Sequence, residues 1–475
     1  MTSSQRASST ADGAAAVPRS QMAADMALDI PMDIAAYDVV ISGGGMTGAV
    51  LAAVLLRQCP QLRVALIEQQ ALAKPQAAPT QSFDSRSIAL SAASVALLAH
   101  YGLWQQHFAA ASAAIMAIEV SDQGHFGKSR LKPQQLAYFG HVIELDVIGQ
   151  SLYERLSTLA SDMSVVAASS ASVASADSRP SCVQPSASSH AGVLHRYQPA
   201  QISAIDTTTD WQALTLTDGR NLRAKLLVLA EGGQSQSLAL CNIGSRQQSY
   251  GQTAVIANLA LDRPHQGVAF ERFTRGGPVA LLPLCRQRYS LVWTLTDSQA
   301  HEVLQLSDAD FLARIQQLCG YRAGRFTAVS PRSSYPLQLR QSHVASAHRL
   351  VLCGNSLHSL HPVAGQGFNL ALRDIACLVQ LIEAQCNASN AAACRQDVGA
   401  YAVTAGYAKA RQQDVAQTVW ITDGLVKLFS NDSRSLALLR SLGLSALQQC
   451  PELQHAFVLQ MSGFAPWHRS RHATI

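Results

Sequence analysis

The stretch YDVVISGGGMTGAVLAAVLLRQ (residues 37–58), followed by LRVALIEQQ (62–70), leaves this chain few ways to begin folding. Six residues rich in β-branched and apolar side chains (37–42) read as a buried strand. The segment 49–58 reads as a helix that stops before Pro60, and 62–70 as a second buried strand. Between the first strand and the helix lie Gly43, Gly45 and Gly48, spaced G-x-G-x-x-G. That spacing has a mechanical meaning. The first glycine permits the tight turn, the second lets backbone approach a pyrophosphate, and the third lets the helix pack on the strand. The helix then offers unpaired N–H groups and the positive end of its dipole to the phosphates. Glu68 follows the last glycine by twenty residues and ends the second strand, where a carboxylate accepts hydrogen bonds from a ribose without a 2′-phosphate. Strand, turn, helix and acid together predict a βαβ unit of a parallel sheet that binds a dinucleotide; NAD and FAD both fit it.

The remainder is too long for one ordinary core. At 475 residues, 48% hydrophobic and 14% charged, the composition is globular and the length calls for a second domain. A net charge of +5 with no dense basic run argues against a nucleic-acid partner. The ten cysteines form no CxxC pair, which reads as reduced thiols of a cytoplasmic protein and not as a zinc site or disulfide frame. Residues 1–36 read as a flexible extension without a secretory signal, and no apolar run is long enough to span a membrane.

Along the chain, 84–103 has helical periodicity, with Arg86 at the start of that helix. Strand-like sequence runs to 145, a helix covers 146–160, and a Ser/Ala-rich low-complexity insertion covers 161–192. Asp218-Gly219 marks a turn between two strands, the second of which leads into Glu231-Gly232. Alternating patterns from 248 to 297 predict an antiparallel sheet. RLVLCG (349–354) is a short buried strand, and the chain from 397 on is helical. The predicted fold is therefore α/β (α+β overall): a Rossmann-like domain from 37–114, 146–247 and 346–396, an interleaved antiparallel sheet domain from 115–145 and 248–345, and a C-terminal helical tail, 397–475.

GNSLHSLHPVAGQGFNLALRDI (354–375) runs a loop with two histidines into an apolar helix. A metal site at His358 and His361 lacks an obvious third ligand. Gly365-Gln366-Gly367 instead supplies a helix N-terminus that can face developing negative charge.

Taken in order, ISGGGMTGAVLA, DSRSIAL, LLVLAEGGQS and LCGNSLHSLHPVAGQGFNLALRD resemble the FAD-dependent aromatic hydroxylases of the p-hydroxybenzoate hydroxylase fold. More narrowly, GPVALLPLCRQRYSLVW and YAKARQQDVAQTVWITDGLVKLFSN resemble the ubiquinone-biosynthesis branch. The resemblance covers about residues 37–465. It implies extended FAD with Gly43, Gly45 and Gly48 at the pyrophosphate, Glu68 at the adenosine ribose, and Arg86 near the cofactor. It also implies Gly354 and Asn355 at the ribityl chain, and Pro362, Gly365, Gln366, Gly367 and Asn369 beside the reactive ring. Two positions depart from the wider pattern, Glu231-Gly232 for Asp-Gly and Gly354-Asn355 for Gly-Asp; the first leaves the implied NAD(P)H contact of Glu231 less secure.

The implied reaction uses NAD(P)H and O₂ to form a flavin hydroperoxide that hydroxylates a phenol, here a hydrophobic prenylphenol. His361 is the candidate polar group beside the flavin, against a plain role in shaping the loop. The helical tail, with Val415, Val419, Leu425, Leu428 and Phe429, reads first as helix packed on the sheet. Its second reading is contact with other ubiquinone-pathway proteins or, peripherally, the inner face of the membrane. Two alternatives keep the fold: a monooxygenase of a small soluble aromatic acid, for which a buried arginine would face the pocket, or a flavin-binding assembly subunit without catalysis.

Overall fold

The computed structural model describes residues 34–70, 86–104, 106–124, 128–169, 193–233, 235–360, 365–387, 397–429 and 434–464. Residues 1–33, most of the Ser/Ala-rich insertion, His361 and Pro362 thus lie outside the described residues. The chain from Ala36 onward forms one unit.

The expected βαβ start is present. The strand Ala35–Ser42 runs parallel to Arg63–Ile67, in register from Val39 opposite Val64 to Ser42 opposite Ile67. Val39, Val40 and Ile41 are fully buried, as befits a strand covered on both faces. On its other side lies Asn221–Leu229, then Leu350–Leu352 in parallel with it, while Val193–Tyr197 extends the sheet beyond Arg63–Ile67. Asp218-Gly219 turns the chain between Gln212–Leu216 and Asn221–Leu229 as expected. The helices Met46–Gln58, Leu145–Ser169 and Gln366–Asn387 pack their apolar residues into one core with this sheet.

The second sheet has nine strands, built on the long strand Ser245–Leu261. Arg288–Thr296, Gly277–Leu284, Val268–Thr274, Ala117–Asp122 and Lys128–Leu131 follow outward on one side, and Ser333–Ser342 pairs on the other. Alternation separates its faces. Val279, Leu281, Leu291 and Trp293 pack against Phe311 and Ile315 of the helix Asp308–Cys319. The residues between them, Ala280, Leu282 and Val292, face the opposite way.

A third sheet of three strands was not expected. Residues 87–91 form an antiparallel strand with Gly140–Glu144, which also pairs Ser112–Ala114. The helix expected over 84–103 is therefore confined to Ala92–His100, and Arg86 precedes a strand instead of opening a helix. SIALS satisfies either periodicity over so few residues, and cross-strand partners fifty residues away decide the outcome. The helix expected over 146–160 continues to Ser169, so residues 161–169, expected as the start of the low-complexity insertion, are helical instead.

The tail forms three helices, Tyr401–Phe429, Arg434–Gln449 and Pro451–Met461. Tyr407 is fully buried and donates to the carbonyl of Leu352 at 2.7 Å, and the Ala93 amide donates to Ser462 O at 3.0 Å. Val415 is buried, which fits the packed reading; Leu425, Leu428 and Phe429 lie outside the described side chains. Among the described residues no helix is long and apolar enough to cross a membrane.

Candidate active site

Motifs scattered over three hundred residues meet at one edge. Gly43 follows the strand Ala35–Ser42, Glu68 follows Arg63–Ile67, Glu231 follows Asn221–Leu229, and Gly354 follows Leu350–Leu352. All four occupy the carboxyl ends of neighbouring strands, the position where open parallel sheets bind ligands.

The glycines of the turn divide into packed and open ones. Gly43 has φ +108°, and a Cβ there would sit 2.6 Å from the Ala230 carbonyl; at Gly48 it would meet Gly43 O at 1.8 Å. At Gly45 a Cβ would meet nothing within 4 Å. Gly45 is also the N-cap of the helix Met46–Gln58, and no side chain caps that end. An uncapped helix N-terminus facing open space is what an anionic ligand needs, so the cradle fits a pyrophosphate. Gly44 was given no role by the sequence pattern, yet a Cβ there would press on Glu68 Cβ at 2.8 Å, and its amide donates to Glu68 Oε2 at 2.6 Å. Tyr153 adds a hydrogen bond to Gly44 O at 3.1 Å.

Glu231 is used internally. Its carboxylate accepts from the Ser42 hydroxyl, from Ser235 Oγ at 2.7 Å and from Ser237 Oγ at 2.5 Å. The longer acid thus ties the ends of two strands to the helix Gln236–Leu240, whose N-cap is Ser235. Gly232, half-buried with φ +98°, is the part of the motif where an added Cβ would meet open space.

Gly354 takes φ +61°, and its amide donates to Asp374 Oδ2 at 3.0 Å. The same oxygen bonds His358 Nε2 at 2.8 Å, and Asp374 Oδ1 accepts from Arg411 Nε at 2.7 Å. Arg411 continues to Asp414 at 2.5 Å, and Arg373 reaches Asp414 at 2.9 Å. Burial would raise the Asp374 carboxyl, but His358 and Arg411 outweigh it and hold it below the usual carboxylate range. His358 is therefore a buried strut of the loop, with its partner on the helix Gln366–Asn387. Asn355 stays exposed beside it.

Asn369 makes a three-way clip: its Nδ2 donates to Ala89 O at 2.9 Å and Gly365 O at 2.7 Å, and its Oδ1 accepts from the Ser91 amide at 2.9 Å. It joins the start of the helix Gln366–Asn387 to the three-stranded sheet. Arg86 is exposed at the head of that sheet's first strand, its carbonyl accepting from the Leu145 amide at 3.2 Å. Gly365, Gln366 and Gly367 make the first turn of that helix, and a Cβ on Gly367 would meet open space.

That turn forms one wall of a cleft that opens to solvent and is lined mainly by apolar side chains. The other walls are Ile118, Ala269, Ala280, Leu282 and Val292 of the nine-stranded sheet, with Phe139, Ile115 and Met461 closing around them. Among the described residues, Glu271 is the one ionisable residue of this lining. Burial pushes its carboxyl up to about 7, although part of its surface still reaches the cleft. The sequence reading passed over Glu271. The signal was available in VAFERFT, where alternation places it between Ala269 and Phe273, which are 4% and 5% exposed.

The fold and this edge define a dinucleotide-binding protein, and comparison with known proteins makes it a flavin-dependent monooxygenase. Residues 36–393 match the FAD binding domain family, to which the chain belongs, and residues 331–470 match the squalene epoxidase family. The chain is similar to the ubiquinone hydroxylase UbiL of Rhodospirillum rubrum, at 33% identity over 90% of this chain and 89% of that one. It is also similar to the human mitochondrial ubiquinone biosynthesis monooxygenase COQ6, at 28% identity over 86% of this chain and 89% of that one. The 3-demethoxyubiquinol 3-hydroxylase of Escherichia coli is 28% identical over 88% of this chain and 96% of that one. Among solved structures, p-nitrophenol 4-monooxygenase PnpA from Pseudomonas putida superposes with a TM-score of 0.67 at 14% identity, covering 90% of this chain and 98% of that one. The protein is an FAD-dependent hydroxylase of the family that holds the ubiquinone-biosynthesis enzymes.

Proposed function

We propose that the chain hydroxylates a prenylated phenol on the way to ubiquinone, with NAD(P)H and O₂ as co-substrates, in the manner of a 2-octaprenyl-6-methoxyphenol hydroxylase. FAD, when bound, supplies the oxygen-activating chemistry through the flavin hydroperoxide that the resemblance implies. The residues of this chain hold and shield it. Gly43, Gly45 and Gly48 with the uncapped helix end receive the pyrophosphate, and Glu68 the adenosine ribose. Gly232, Gly354 and Asn355 line the path of the ribityl chain. Arg86, Pro362, Gly365, Gln366, Gly367 and Asn369 bound the ring, with the helix end stabilising negative charge there. Glu231 acts as a positioning residue for the strand ends, and His361 remains a proposed polar neighbour of the ring.

The observation that carries the substrate class is the character of the cleft: apolar side chains, one acid, and among the described residues no lysine or arginine in its lining. A carboxylate-bearing substrate would find no partner and one like charge, which disfavours the small aromatic acid. An uncharged phenol with an apolar tail finds a matching surface. Contact of the C-terminal helices with a membrane or a pathway protein would bring so insoluble a substrate to the cleft; Trp420, 77% exposed on the helix Tyr401–Phe429, is a candidate for that surface.

The purified protein should show flavin absorbance, lose it on addition of NAD(P)H, and convert a short-chain prenylphenol to its hydroxylated product under air. Deleting the gene should lower ubiquinone and accumulate a prenylphenol detected by mass spectrometry. Unchanged ubiquinone with no precursor would refute the pathway, and a flavin that NAD(P)H never bleaches would favour the non-catalytic subunit.

A further inference from the structure

Glu271 sits on the cleft face of the strand Val268–Thr274, where its neighbours are apolar. Its cross-strand partner on Gly277–Leu284 is Ala280, Leu282 lies diagonal to it, and Ala269 is two residues back on its own strand. Among the described residues it has neither a hydrogen-bond nor an ion-pair partner, and burial alone acts on its carboxyl.

Among the described residues, the charged groups of the adjacent elements are engaged elsewhere or exposed, and Asp122, on the same face of the strand Ala117–Asp122, also has an interaction of its own. On the adjacent strand Ala117–Asp122, Glu119 belongs to the other face and pairs with Arg322 and Lys128. Arg272, the next residue along, donates to Ser121 at 3.2 Å. Arg288 of the strand Arg288–Thr296 is paired with Glu144 of the three-stranded sheet, where His141 bonds Ser112. On the helix Pro451–Met461, which contributes Met461 to the cleft, His455 bonds Gln134 and Glu452 is exposed. Among the described residues, the facing helix turn offers only the uncharged Gln366 and Asn369.

An acid kept without a partner on an apolar wall costs stability, and such groups concentrate where chemistry needs them. We propose that Glu271 is the general base that takes the proton of the phenol, an inference that rests on the hydroxylase reading above. In that step the phenolic O–H bond breaks, its electron pair stays on the oxygen, and the proton joins a Glu271 carboxylate oxygen to give a neutral carboxyl. The resulting phenolate pushes electron density into the ring, which favours electrophilic oxygen transfer. No oxidant or reductant enters the step. A carboxyl that titrates near neutrality is well matched to it, since a base must be ionised yet basic enough to hold the proton.

The test compares the FAD-loaded wild type with Glu271→Gln and Glu271→Asp, using a phenol with a short ortho-prenyl chain. Three readings are taken across pH: flavin bleaching by NAD(P)H without phenol, hydroxylated phenol formed, and hydrogen peroxide released. For the wild type, hydroxylation should rise with pH through about 7. Glu271→Gln should keep its FAD and its bleaching rate, lose this rise, fall about a hundredfold in hydroxylation below neutrality, and divert reduced flavin to peroxide. It should recover at alkaline pH, where the phenol ionises unaided, and Glu271→Asp should restore part of the rise. A Glu271→Gln enzyme with the wild-type rate and pH profile overturns the proposal, as does an equal fall at every pH, which would mark a structural role. Failure of the wild type itself to hydroxylate would instead refute the reading on which the proposal rests.

Discussion

Two buried acids in this protein live under opposite conditions. Asp374, behind the cofactor edge of the parallel sheet, is fully enclosed and engages the Gly354 amide, His358 and Arg411. Glu271, on the cleft face of the antiparallel sheet, engages none of the described residues. Burial opposes ionisation at both sites, and the partners alone decide the outcome: Asp374 is held below the usual carboxylate range and Glu271 is lifted to about 7. The partnered acid builds the loop that closes the cofactor edge, and the unpartnered one is available for a ligand.

Breaking the first site should have the largest effect. Asp374→Asn leaves His358 and the buried Arg411 without their shared charge, and breaking such a pair should cost about 3–5 kcal/mol in chemical denaturation. FAD retention should fall with it, because Gly354 loses its anchor. The wild type should also weaken in acid on this account. A depressed carboxyl lends stability that is present above its unfolded pKa and is lost as pH falls through its folded value.

Next come the glycines of the cradle, which separate packing from ligand approach. Gly48→Ala drives a methyl into Gly43 O and should destabilise the protein by about 1–3 kcal/mol even without FAD. Gly45→Ala meets open space and should leave the unfolding midpoint within about 0.5 kcal/mol of wild type while weakening FAD binding. If Gly45→Ala bound FAD as the wild type does, that glycine would not be where the pyrophosphate approaches.

Asn369 stands between the two regions and should give an intermediate effect. Asn369→Ala orphans the Ser91 amide together with two carbonyls, at a cost of about 1–3 kcal/mol. Because these bonds hold the cleft wall, its ratio of peroxide to hydroxylated product should rise.

The smallest effect has the opposite sign. Glu271→Gln should stabilise the protein by roughly 1 kcal/mol at alkaline pH, after allowance for the cleft's access to water, with little change in acid. The sign follows from the raised pKa: the native protein carries no penalty below the unfolded value near 4.5, and stability is lost as pH rises toward about 7 and the desolvated carboxylate must ionise. A denaturation series showing no pH-dependent difference between variant and wild type would remove the contrast with Asp374.

The sequence alone determined the start of the fold and the ligand edge. The spacing of Gly43, Gly45 and Gly48, the apolar runs beside them and Glu68 are local in the chain, and their meaning is set by backbone geometry: only glycine tolerates φ +108° at Gly43 or the 1.8 Å approach at Gly48. The antiparallel sheet was legible for a similar reason, since alternation is written residue by residue. What was lost needed partners far away. SIALS became a strand because Gly140–Glu144 lies beside it, Glu231 turned inward because Ser42, Ser235 and Ser237 surround it, and His358 became a strut through Asp374 and Arg411. Glu271 shows the boundary most clearly. Alternation could place it on a buried face, but only the tertiary structure decides that a cleft opens there and that no cation among the described residues answers its charge. A side chain's periodicity is local information, whereas its dielectric surroundings are made by elements that meet only in the folded chain.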